Sequence, residues 1–416
     1  MRAVTFDVTP SSYVLGKALG SITESVLWGR ASGVKLTDVT EAPLPGERWV
    51  RIEVLKAGIC GTDIGNLTLK ASPAMEPFGS FPAVLGHEIV GRVVEVGPAV
   101  RRVEVGQRVV VDPMISCTVR GWAEPCRACA DGLHATCERA GEEGPLEIGG
   151  RRIRPGTMVG YHADLPGGWG ERTIMHEAHV FPVDDAIDDR TAVLVEPLAI
   201  AMHAVLRSRP WGEGPALVVG SGPIALATIW ALRAAGYRGE LVAQIKRGHE
   251  GDLARALGAD EVVTPGEEAR EALVRTGAQA YMPLLGDEVY AGGGFPLVFD
   301  CVGSAESLTQ CLRYVAARGR IVLLGNAPKL PKLDLTFLWA REVTVHGSVG
   351  YGREAWGDGH AHTFEVTHDL ILESGAPLSG LVTHVYPLAQ YRDALSTARG
   401  RRRTGSIKVL LEPRAG

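Results

Sequence analysis

Residues 216–225 read Ala216-Leu217-Val218-Val219-Gly220-Ser221-Gly222-Pro223-Ile224-Ala225. The four apolar residues at the start predict a strand that is buried in a parallel sheet. The first glycine then permits a tight turn, and the second lets the backbone approach a pyrophosphate at the N-terminus of the following helix. An alanine takes the place of the third glycine of this pattern. We therefore predict a dinucleotide site at Gly220, Ser221, Gly222, Pro223 and Ile224.

The segments on either side of this stretch differ in their secondary-structure pattern. From about Thr191 onward, strands alternate with helices, as they do in a doubly wound parallel sheet. The part of the chain before it holds short β-branched runs separated by turn residues, and Val50–Val54 alternates as a half-buried strand does. A chain of 416 residues is also long for a single core. We predict an α/β protein with an all-β, barrel-like domain and a parallel-sheet domain.

Two short segments in the first part contain residue types that bind zinc. They are Cys60-Gly61-Thr62-Asp63 and Gly86-His87-Glu88. Thiolates, imidazoles and carboxylates are the ligands of Zn²⁺ in proteins, and a catalytic zinc keeps one position open. A metal together with a nicotinamide suggests hydride transfer at an alcohol carbon. For Cys60 or His87 taken alone, an inert buried thiol or a hydrogen-bonded core histidine is an equally good interpretation.

The pattern around these residues resembles the zinc-dependent medium-chain dehydrogenase/reductases of the alcohol dehydrogenase superfamily. The closest resemblance is to the polyol and threonine dehydrogenase branch, for which Glu196-Pro197-Leu198 is typical. It begins near Glu41 and includes, in order, Gly58–Asp63, Val84–Gly91, Val105–Val109, Gly167–Glu171 and Val195–Leu198. The resemblance implies a GroES-like catalytic domain and a Rossmann domain. It also implies hydride transfer between a nicotinamide cofactor and a secondary alcohol, polyol or sugar-like alcohol, or the matching ketone or aldehyde.

The resemblance further implies a division of the chain. We expect a catalytic domain at 1–195 with a zinc lobe at 113–140, a dinucleotide-binding domain at 196–346, and a return to the catalytic domain at 347–416. Segments 11–34 and 276–294 exceed the usual family length. We expect an extra helix around residues 15–27, and we favour a surface excursion or an oligomer contact over a substrate lid for both segments. A homodimer or homotetramer is expected.

The catalytic zinc is expected from the same resemblance. Cys60 and His87 are its ligands, and either Glu88 or Glu196 completes the protein set. One thiolate and one carboxylate neutralise the charge of the metal, which then acts as a Lewis acid on the substrate oxygen. Asp63 is expected to orient the ligands from behind.

The proton path departs from the family pattern. Thr62 matches the hydroxyl that passes the alcohol proton onward, although a turn residue that bonds its own backbone is the alternative. Many relatives carry a histidine as the next relay member, but this chain has Gly65 there, followed by Asn66. We expect the proton to leave through the cofactor ribose and water, or through a residue that the pattern does not reveal.

Four of the seven cysteines are close together in the chain, namely Cys117, Cys126, Cys129 and Cys137. Closed sites of four cysteines hold structural zinc, and the spacing of the last three resembles the structural zinc lobe of the family. The first family cysteine would fall at Ala123, so residues 118–125 form an insertion. We predict that Cys117 still reaches the zinc. The alternative is a degenerate lobe with three free thiols.

The end of the second strand bears on the choice of cofactor. An acidic residue that binds the ribose hydroxyls of NAD is expected there, but counting back from Leu257–Asp260 gives Ile245, followed by Lys246 and Arg247. Glu240 lies at the wrong end of the strand. An apolar residue followed by two cations suits the 2′-phosphate of NADP, so we favour NADP over NAD. Solvated loop charges are the alternative interpretation.

Composition and charge exclude several classes of partner. The net charge is −5 with both signs interspersed, which indicates no nucleic-acid surface. The N-terminus lacks the apolar core of a signal peptide, and the longest apolar stretch is broken by glycines, a proline and an arginine. The odd cysteine count argues against a disulfide framework. We expect a cytoplasmic protein that acts on a small-molecule alcohol or carbonyl compound and that does not bind a membrane.

Two other functions stay open at this point. A zinc-independent reductase of the same superfamily would lack ligands such as Cys60 and His87. A non-catalytic binding protein on the same fold would be expected to have lost the metal ligands or the glycine turn. The chain keeps both features, so we favour the zinc-dependent enzyme.

Overall fold

The chain forms two compact units. The computed structural model describes residues 1–29, 32–212, 214–325, 330 and 333–414. The first unit comprises Met1–Glu196, Gly350–Leu372 and Leu381–Gly416, and the second comprises Pro197–Val349 and Glu373–Gly380. The chain therefore leaves the first unit twice, first for the long segment 197–349 and then for the short segment 373–380.

The strands, in chain order, are β1 (Arg2–Phe6), β2 (Val34–Asp38), β3 (Trp49–Ile59), β4 (Ala83–Val84), β5 (Ile89–Val96), β6 (Arg108–Val111), β7 (Glu147–Ile148), β8 (Arg151–Arg152), β9 (Arg172–His176), β10 (Val180–Pro182), β11 (Ala216–Val219), β12 (Leu241–Gln244), β13 (Glu261–Val263), β14 (Gln279–Tyr281), β15 (Val289–Ala291), β16 (Phe295–Asp300), β17 (Val315–Leu323), β18 (Thr344–Gly347), β19 (Arg353–Trp356), β20 (Gly359–His362), β21 (Val382–Pro387) and β22 (Lys408–Glu412).

The α-helices are α1 (Pro10–Leu19), α2 (Ser25–Trp28), α3 (Gly61–Leu67), α4 (Arg127–Ala130), α5 (Asp189–Ala192), α6 (Val195–Arg207), α7 (Pro223–Ala234), α8 (Gly248–Ala256), α9 (Glu267–Arg275), α10 (Ala305–Tyr314), α11 (Thr336–Ala340), α12 (Thr363–Ser374), α13 (Tyr391–Arg399) and α14 (Arg401–Thr404). Short 3₁₀ helices cover Pro73–Phe78, His134–Thr136, Glu177–His179, Leu378–Leu381 and Leu388–Gln390. Within the described ranges, no helix combines the length and the apolar composition that crossing a bilayer requires.

The first unit is built on a seven-stranded sheet. Its strands follow the order β10-β6-β5-β3-β22-β21, and β9 also pairs with β3. The long strand β3 is antiparallel to β5, β9 and β22, and its inward residues Val50, Ile52 and Val54 are fully buried. Because β3 lies at the centre of these pairings, the residue that follows it is held by the core of the unit.

The second unit contains a six-stranded sheet in the order β13-β12-β11-β16-β17-β18, in which every neighbouring pair is parallel. When only the six strands of this sheet are numbered along the chain, this is the 3-2-1-4-5-6 order of a Rossmann sheet. All four residues of β11 are buried, as expected for a strand covered on both faces. The GroES-like and Rossmann parts of the predicted α/β fold are both confirmed.

The two long segments contain local structure that differs from the predicted single helix. In the first, Thr9 caps α1 with a capping box, and the helix ends at Gly20, where an added Cβ would lie 2.4 Å from the carbonyl oxygen of Gly16. The short helix α2 follows after a turn, so the expected helix over 15–27 is wrong in its bounds. The segment 276–294 contains the hairpin of β14 and β15.

Candidate active site

Three of the predicted zinc ligands come together in the first unit. Cys60 follows β3 directly and is the N-cap of α3, while His87 and Glu88 precede β5, the strand beside β3. The amide of Gly58 donates to the carbonyl of Glu88 at 2.9 Å and joins the two segments. Ligand atoms of Cys60, His87 and Glu88 all lie within 4.8 Å of one another. The sheet thus places a thiolate, an imidazole and a carboxylate at one point.

The turn before His87 depends on Gly86. This residue has a φ of +92°, which is strained for any residue with a side chain. A Cβ at this position would also lie 2.2 Å from the ring of Trp169. The Trp169 side chain is fully buried, and its ring N–H donates to the carbonyl of Gly58 at 3.1 Å. Trp169 is therefore a core residue that holds the two ligand segments together.

Asp63 organises the side of the site behind the ligands. Its carboxylate is fully buried, accepts the Cys60 amide at 2.8 Å and also accepts the hydroxyl of Tyr161. It lies 3.6 Å from Nδ1 of His87, a buried nitrogen without a hydrogen-bond partner. Burial lowers the pKa of His87, but Asp63 and Cys60 raise the pKa by more, so it lies well above its usual value. These neighbours favour positive charge at the ring. The hydroxyl of Thr62 is 3.7 Å from Sγ of Cys60.

Glu88 is held by a cation of the protein itself. Nζ of Lys408 donates to both of its carboxylate oxygens, at 2.5 and 2.7 Å. Both side chains are at most 2% exposed. A buried ion pair with two short contacts satisfies the charge of each partner. Glu88 therefore has a structural partner that competes with a metal for its oxygens.

Glu196 lies at the first helical turn of α6 and has a different partner. The hydroxyl of Tyr351 donates to its Oε1, and Glu196 is 5% exposed. Burial raises the pKa of Glu196 to about 8, a shift that the charge of His87 opposes and that of Glu88 strengthens. Glu196 is not among the three residues whose ligand atoms lie within 4.8 Å. A cation nearby would keep its carboxylate ionised at neutral pH.

Sequence reasoning missed the partners Lys408, Tyr351 and Tyr161. The signal for Lys408 was a lone lysine in the apolar strand Lys408–Glu412, since a buried lysine requires a carboxylate. No comparable signal marks the two tyrosines, because their hydroxyls meet carboxylates that are far away in the chain.

The four clustered cysteines form the second group. Their sulfur atoms all lie within 4.8 Å of one another, with 3.7 Å between Cys117 and Cys137 and 4.0 Å between Cys126 and Cys137. Sulfurs bonded at about 2.3 Å to one tetrahedral zinc are about 3.8 Å apart. Amides donate to the sulfurs of Cys117 and Cys129 at 3.3 and 3.4 Å. Cys117 reaches the group despite the insertion, so the residues fit a closed zinc site.

The glycine turn lies in the second unit at the carboxyl end of the central strand β11. Gly220 has a φ of +141°, and a Cβ there would lie 3.2 Å from both the Cβ of Ala225 and the Cβ of Cys301. Gly222 is the N-cap of α7, and Pro223 is the first residue of that helix. The turn therefore places glycine backbone at a helix N-terminus, the position that a pyrophosphate occupies in dinucleotide sites.

The three residues after β12 lie beside this turn. Ile245 is buried, and the amide of Lys246 donates to the Ser221 hydroxyl at 2.8 Å. The side chain of Lys246 is exposed, whereas Arg247 is paired at 2.7 Å with the buried carboxylate of Glu250. Lys246 thus remains as the more accessible of the two cations.

Comparisons with known proteins place the chain in a family. A family model described as an alcohol dehydrogenase GroES-like domain matches residues 46–185, and one described as a zinc-binding dehydrogenase matches residues 223–364. The chain belongs to the medium-chain dehydrogenases of the alcohol dehydrogenase superfamily. This dehydrogenase falls in the polyol and threonine dehydrogenase branch, so the predicted resemblance is confirmed.

Individual relatives agree with this assignment. A probable diacetyl reductase ((R)-acetoin forming) of Saccharomyces cerevisiae is 31% identical, over 87% of this chain and 83% of that protein. An L-threonine 3-dehydrogenase of Saccharopolyspora erythraea is 28% identical, over 89% and 94%. The crystal structure of 2R,3R-butanediol dehydrogenase from Bacillus subtilis superposes with a TM-score of 0.67 at 25% identity, covering 91% and 96%. This dehydrogenase is thus an oxidoreductase that acts on alcohols with a nicotinamide cofactor.

Proposed function

We propose that the chain is a zinc-dependent, NADP-preferring dehydrogenase of secondary alcohols that carry a polar group on the adjacent carbon. The observation that carries the zinc dependence is the convergence of ligand atoms of Cys60, His87 and Glu88 at one point. The preference for such substrates rests on the relatives, whose names refer to threonine, acetoin and butanediol. We assign the catalytic role to the first unit and the cofactor to the second.

The zinc ligands that we favour are Cys60, His87 and Glu196. Glu88 lies nearer to the first two, but both of its oxygens are bound by Lys408. Glu196 needs a neighbouring cation to ionise and has no lysine or arginine partner among the described ion pairs. When bound, zinc supplies a Lewis acid that lowers the pKa of the substrate hydroxyl. Cys117, Cys126, Cys129 and Cys137 would hold a structural zinc.

Two further side chains of the site have different roles: Asp63 positions its neighbours, and Thr62 transfers a proton. The carboxylate of Asp63 fixes the backbone of Cys60 and the hydroxyl of Tyr161, so it is a positioning residue. The hydroxyl of Thr62, beside the Cys60 sulfur, is the group that we assign to receiving the substrate proton. Because the next relay position is Gly65, this chain has no side chain there to take the proton from Thr62, and the ribose of a bound cofactor together with water would supply the exit.

The cofactor assignment rests on the turn and on Lys246. Gly220, Ser221 and Gly222 leave room for the pyrophosphate, while Ile245 offers no carboxylate to the ribose. Because Arg247 is engaged by Glu250, Lys246 supplies most of the charge for a 2′-phosphate. One charge-assisted hydrogen bond of about 1.5–3 kcal/mol corresponds to roughly tenfold or more in affinity.

We also propose that the chain forms a cytoplasmic homo-oligomer. Three large apolar side chains of the second unit, Leu284, Leu285 and Trp339, are 99%, 88% and 82% exposed, which is typical of surfaces that a partner covers. All seven cysteines are free thiols, as expected in a reducing compartment. Light scattering of the purified protein tests the oligomer, and a monomer at micromolar concentration would contradict it.

A substrate and cofactor screen tests the proposed activity. The panel contains 2,3-butanediol, L-threonine, polyols and simple secondary alcohols, each with NAD⁺ and NADP⁺, followed by nicotinamide absorbance. We expect the highest kcat/KM for a vicinal diol or amino alcohol with NADP⁺, and a loss of about tenfold in NADP⁺ preference for Lys246→Ala. If kcat/KM is the same with NAD⁺ and NADP⁺, both in wild type and in Lys246→Ala, the side chain of Lys246 faces solvent and does not bind the cofactor. Turnover of none of these alcohols would contradict the substrate class.

A further inference from the structure

A third group of metal-ligand side chains lies in the first unit, and its residues belong to neither zinc set. Asp112 follows β6, His134 begins a 3₁₀ helix between two of the clustered cysteines, and His362 ends β20. Their ligand atoms all lie within 4.8 Å of one another. Asp112 is 1% exposed, and the side chains of His134 and His362 are 20% and 14% exposed. Three segments distant in the chain thus meet at this point.

The distances in this group suit a shared cation better than hydrogen bonds. Oδ2 of Asp112 is 3.4 Å from Nε2 of His362 and 3.8 Å from Nδ1 of His134, whereas N–H···O bonds span about 2.7–3.2 Å. Both ring nitrogens are buried without a hydrogen-bond partner. Two ligands bonded at about 2.0–2.1 Å to one tetrahedral ion are about 3.3 Å apart. The separations therefore approach those of ligands around one metal.

Hydrogen bonds from outside the group fix the carboxylate. Oδ1 of Asp112 accepts the amide of Met114 at 2.9 Å, and Oδ2 is 2.9 Å from Nδ1 of His179. The other ring nitrogen of His179 is 2.8 Å from the hydroxyl of Ser116. Supporting contacts of this kind orient ligands in metal sites. Asp112 is consequently held in one orientation before any ion binds.

The buried negative charge of Asp112 also requires a positively charged partner. Its ion-pair contacts in the described part of the chain are with His134, His179 and His362, and with no lysine or arginine. A buried carboxylate is costly without a positive partner. Either a proton on a histidine or a metal ion fills that role.

We propose that Asp112, His134 and His362 bind a divalent transition-metal ion, with zinc as the probe. Two imidazoles and a carboxylate are a ligand set that zinc takes in proteins. The ion would tie the end of β6, the cysteine lobe and the β19–β20 hairpin together. The lobe and the hairpin already pack closely, since a Cβ on Gly132 would lie 2.6 Å from the Cβ of Arg353. The site is thus structural and separate from both predicted zinc ions.

His362 exchanges one contact when it binds the ion. Its Nδ1 accepts the amide of Phe364 at 3.2 Å, so in the neutral ring the proton is on Nε2 and faces Asp112. Ligation at Nε2 requires the neutral ring to carry its proton on Nδ1 instead, and a protonated Nδ1 can no longer accept the Phe364 amide. The contact to Phe364, at the long end of the hydrogen-bond range, is then replaced by a metal–nitrogen bond.

Metal analysis of matched variants tests the proposal. Full-length wild type, His134→Gln, His362→Gln and His360→Gln are equilibrated with excess zinc, dialysed against metal-free buffer and measured by mass spectrometry of the metal. His360 lies in the same hairpin and is exposed, so it is the control. We expect His134→Gln and His362→Gln to bind about one zinc fewer per chain, and His360→Gln to match wild type. Equal zinc content in all four proteins would overturn the proposal.

A second measurement needs no variant, in case a substitution unfolds the unit. Wild type is treated with diethyl pyrocarbonate with and without added zinc, and the modified histidines are mapped by peptide mass spectrometry. Zinc is expected to protect His134 and His362 while His360 and His384 react as before. If the group holds only a protonated histidine, zinc leaves all four reactivities unchanged, and the proposal fails.

Discussion

Glu88 and Glu196 are adjacent to the same predicted metal, yet their surroundings assign them different tasks. Glu88 shares a buried ion pair with Lys408, whereas Glu196 accepts the hydroxyl of Tyr351. Removing one partner of a buried ion pair costs about 3–5 kcal/mol, because the other charge is left uncompensated. Glu88 is accordingly a stability residue, and Glu196 is the residue that we assign to zinc.

Two isosteric variants test this division. Glu88→Gln is expected to keep its zinc and to lose about 3–5 kcal/mol of unfolding free energy. Glu196→Gln is expected to bind the catalytic zinc more weakly, by at least about 10–100-fold, the loss typical of residues that only support a ligand. Denaturant titration and competition with a zinc chelator measure the two quantities. Zinc loss in Glu88→Gln with normal affinity in Glu196→Gln would reverse the assignment.

His162 predicts how stability depends on pH. Its ring is fully buried, is 2.9 Å from the carbonyl of Arg154 through Nε2 and accepts the amide of Asp164 through Nδ1, which fixes the neutral form. Burial lowers the pKa of His162 from 6.5 to about 4. As the pH falls, His162 is therefore protonated in the unfolded chain at a higher pH than in the folded protein. The stability that the neutral ring contributes is present above pH 6.5 and is lost as the pH falls from 6.5 to about 4.

The slope over this interval is at most about 1.4 kcal/mol per pH unit for one proton. Denaturant titrations at several pH values, compared between wild type and His162→Gln, measure the contribution. We expect a shallower loss of stability from pH 6.5 to 4 in the variant. If the unfolding free energies of the two proteins fall in parallel with pH, His162 does not cause the pH dependence of stability.

At the scale of elements, buried β-branched runs were predictable and long-range contacts were not. Strand β11 has the bounds that its apolar run predicts, because burial in a sheet determines both the composition and the extent of a strand. Helix α8 begins at Gly248, where the sequence has little apolar periodicity to mark the start of a helix. Strand β14 of the hairpin lacked a signal because all three of its residues are exposed, so no alternation in burial marks it.

The turn from β11 to α7 gives a prediction at this scale. Gly220→Val would place a branched side chain at a φ of +141° and within 3.2 Å of two neighbouring Cβ atoms. Backbone strain of about 1–3 kcal/mol and a blocked pyrophosphate position should together abolish measurable NADP⁺ binding in calorimetry. Gly212→Ala is the control, since nothing lies within 4 Å of its added Cβ. Unchanged binding in Gly220→Val would contradict the cofactor site.

For the whole molecule, the motifs predicted which residues meet, but not what holds them. Cys60, His87, Cys126, Cys129 and Cys137 could be found because family spacing records them, and Cys117 could be found because it is close to the last three in the chain. The contacts of Lys408 with Glu88 and of Tyr351 with Glu196 join residues far apart in the chain, so no local pattern encodes them. The Asp112 group was missed for the same reason, because its three residues come from three separate segments.

The central claim is that hydride transfer depends on zinc at Cys60 and His87. The most direct test is turnover of the best substrate after removal of metal by a chelator and dialysis, followed by stepwise addition of zinc. We predict that the zinc-free protein is inactive while still binding NADP⁺, that zinc restores activity, and that Cys60→Ser stays inactive with zinc present. Full turnover by protein shown to contain no metal would contradict the account.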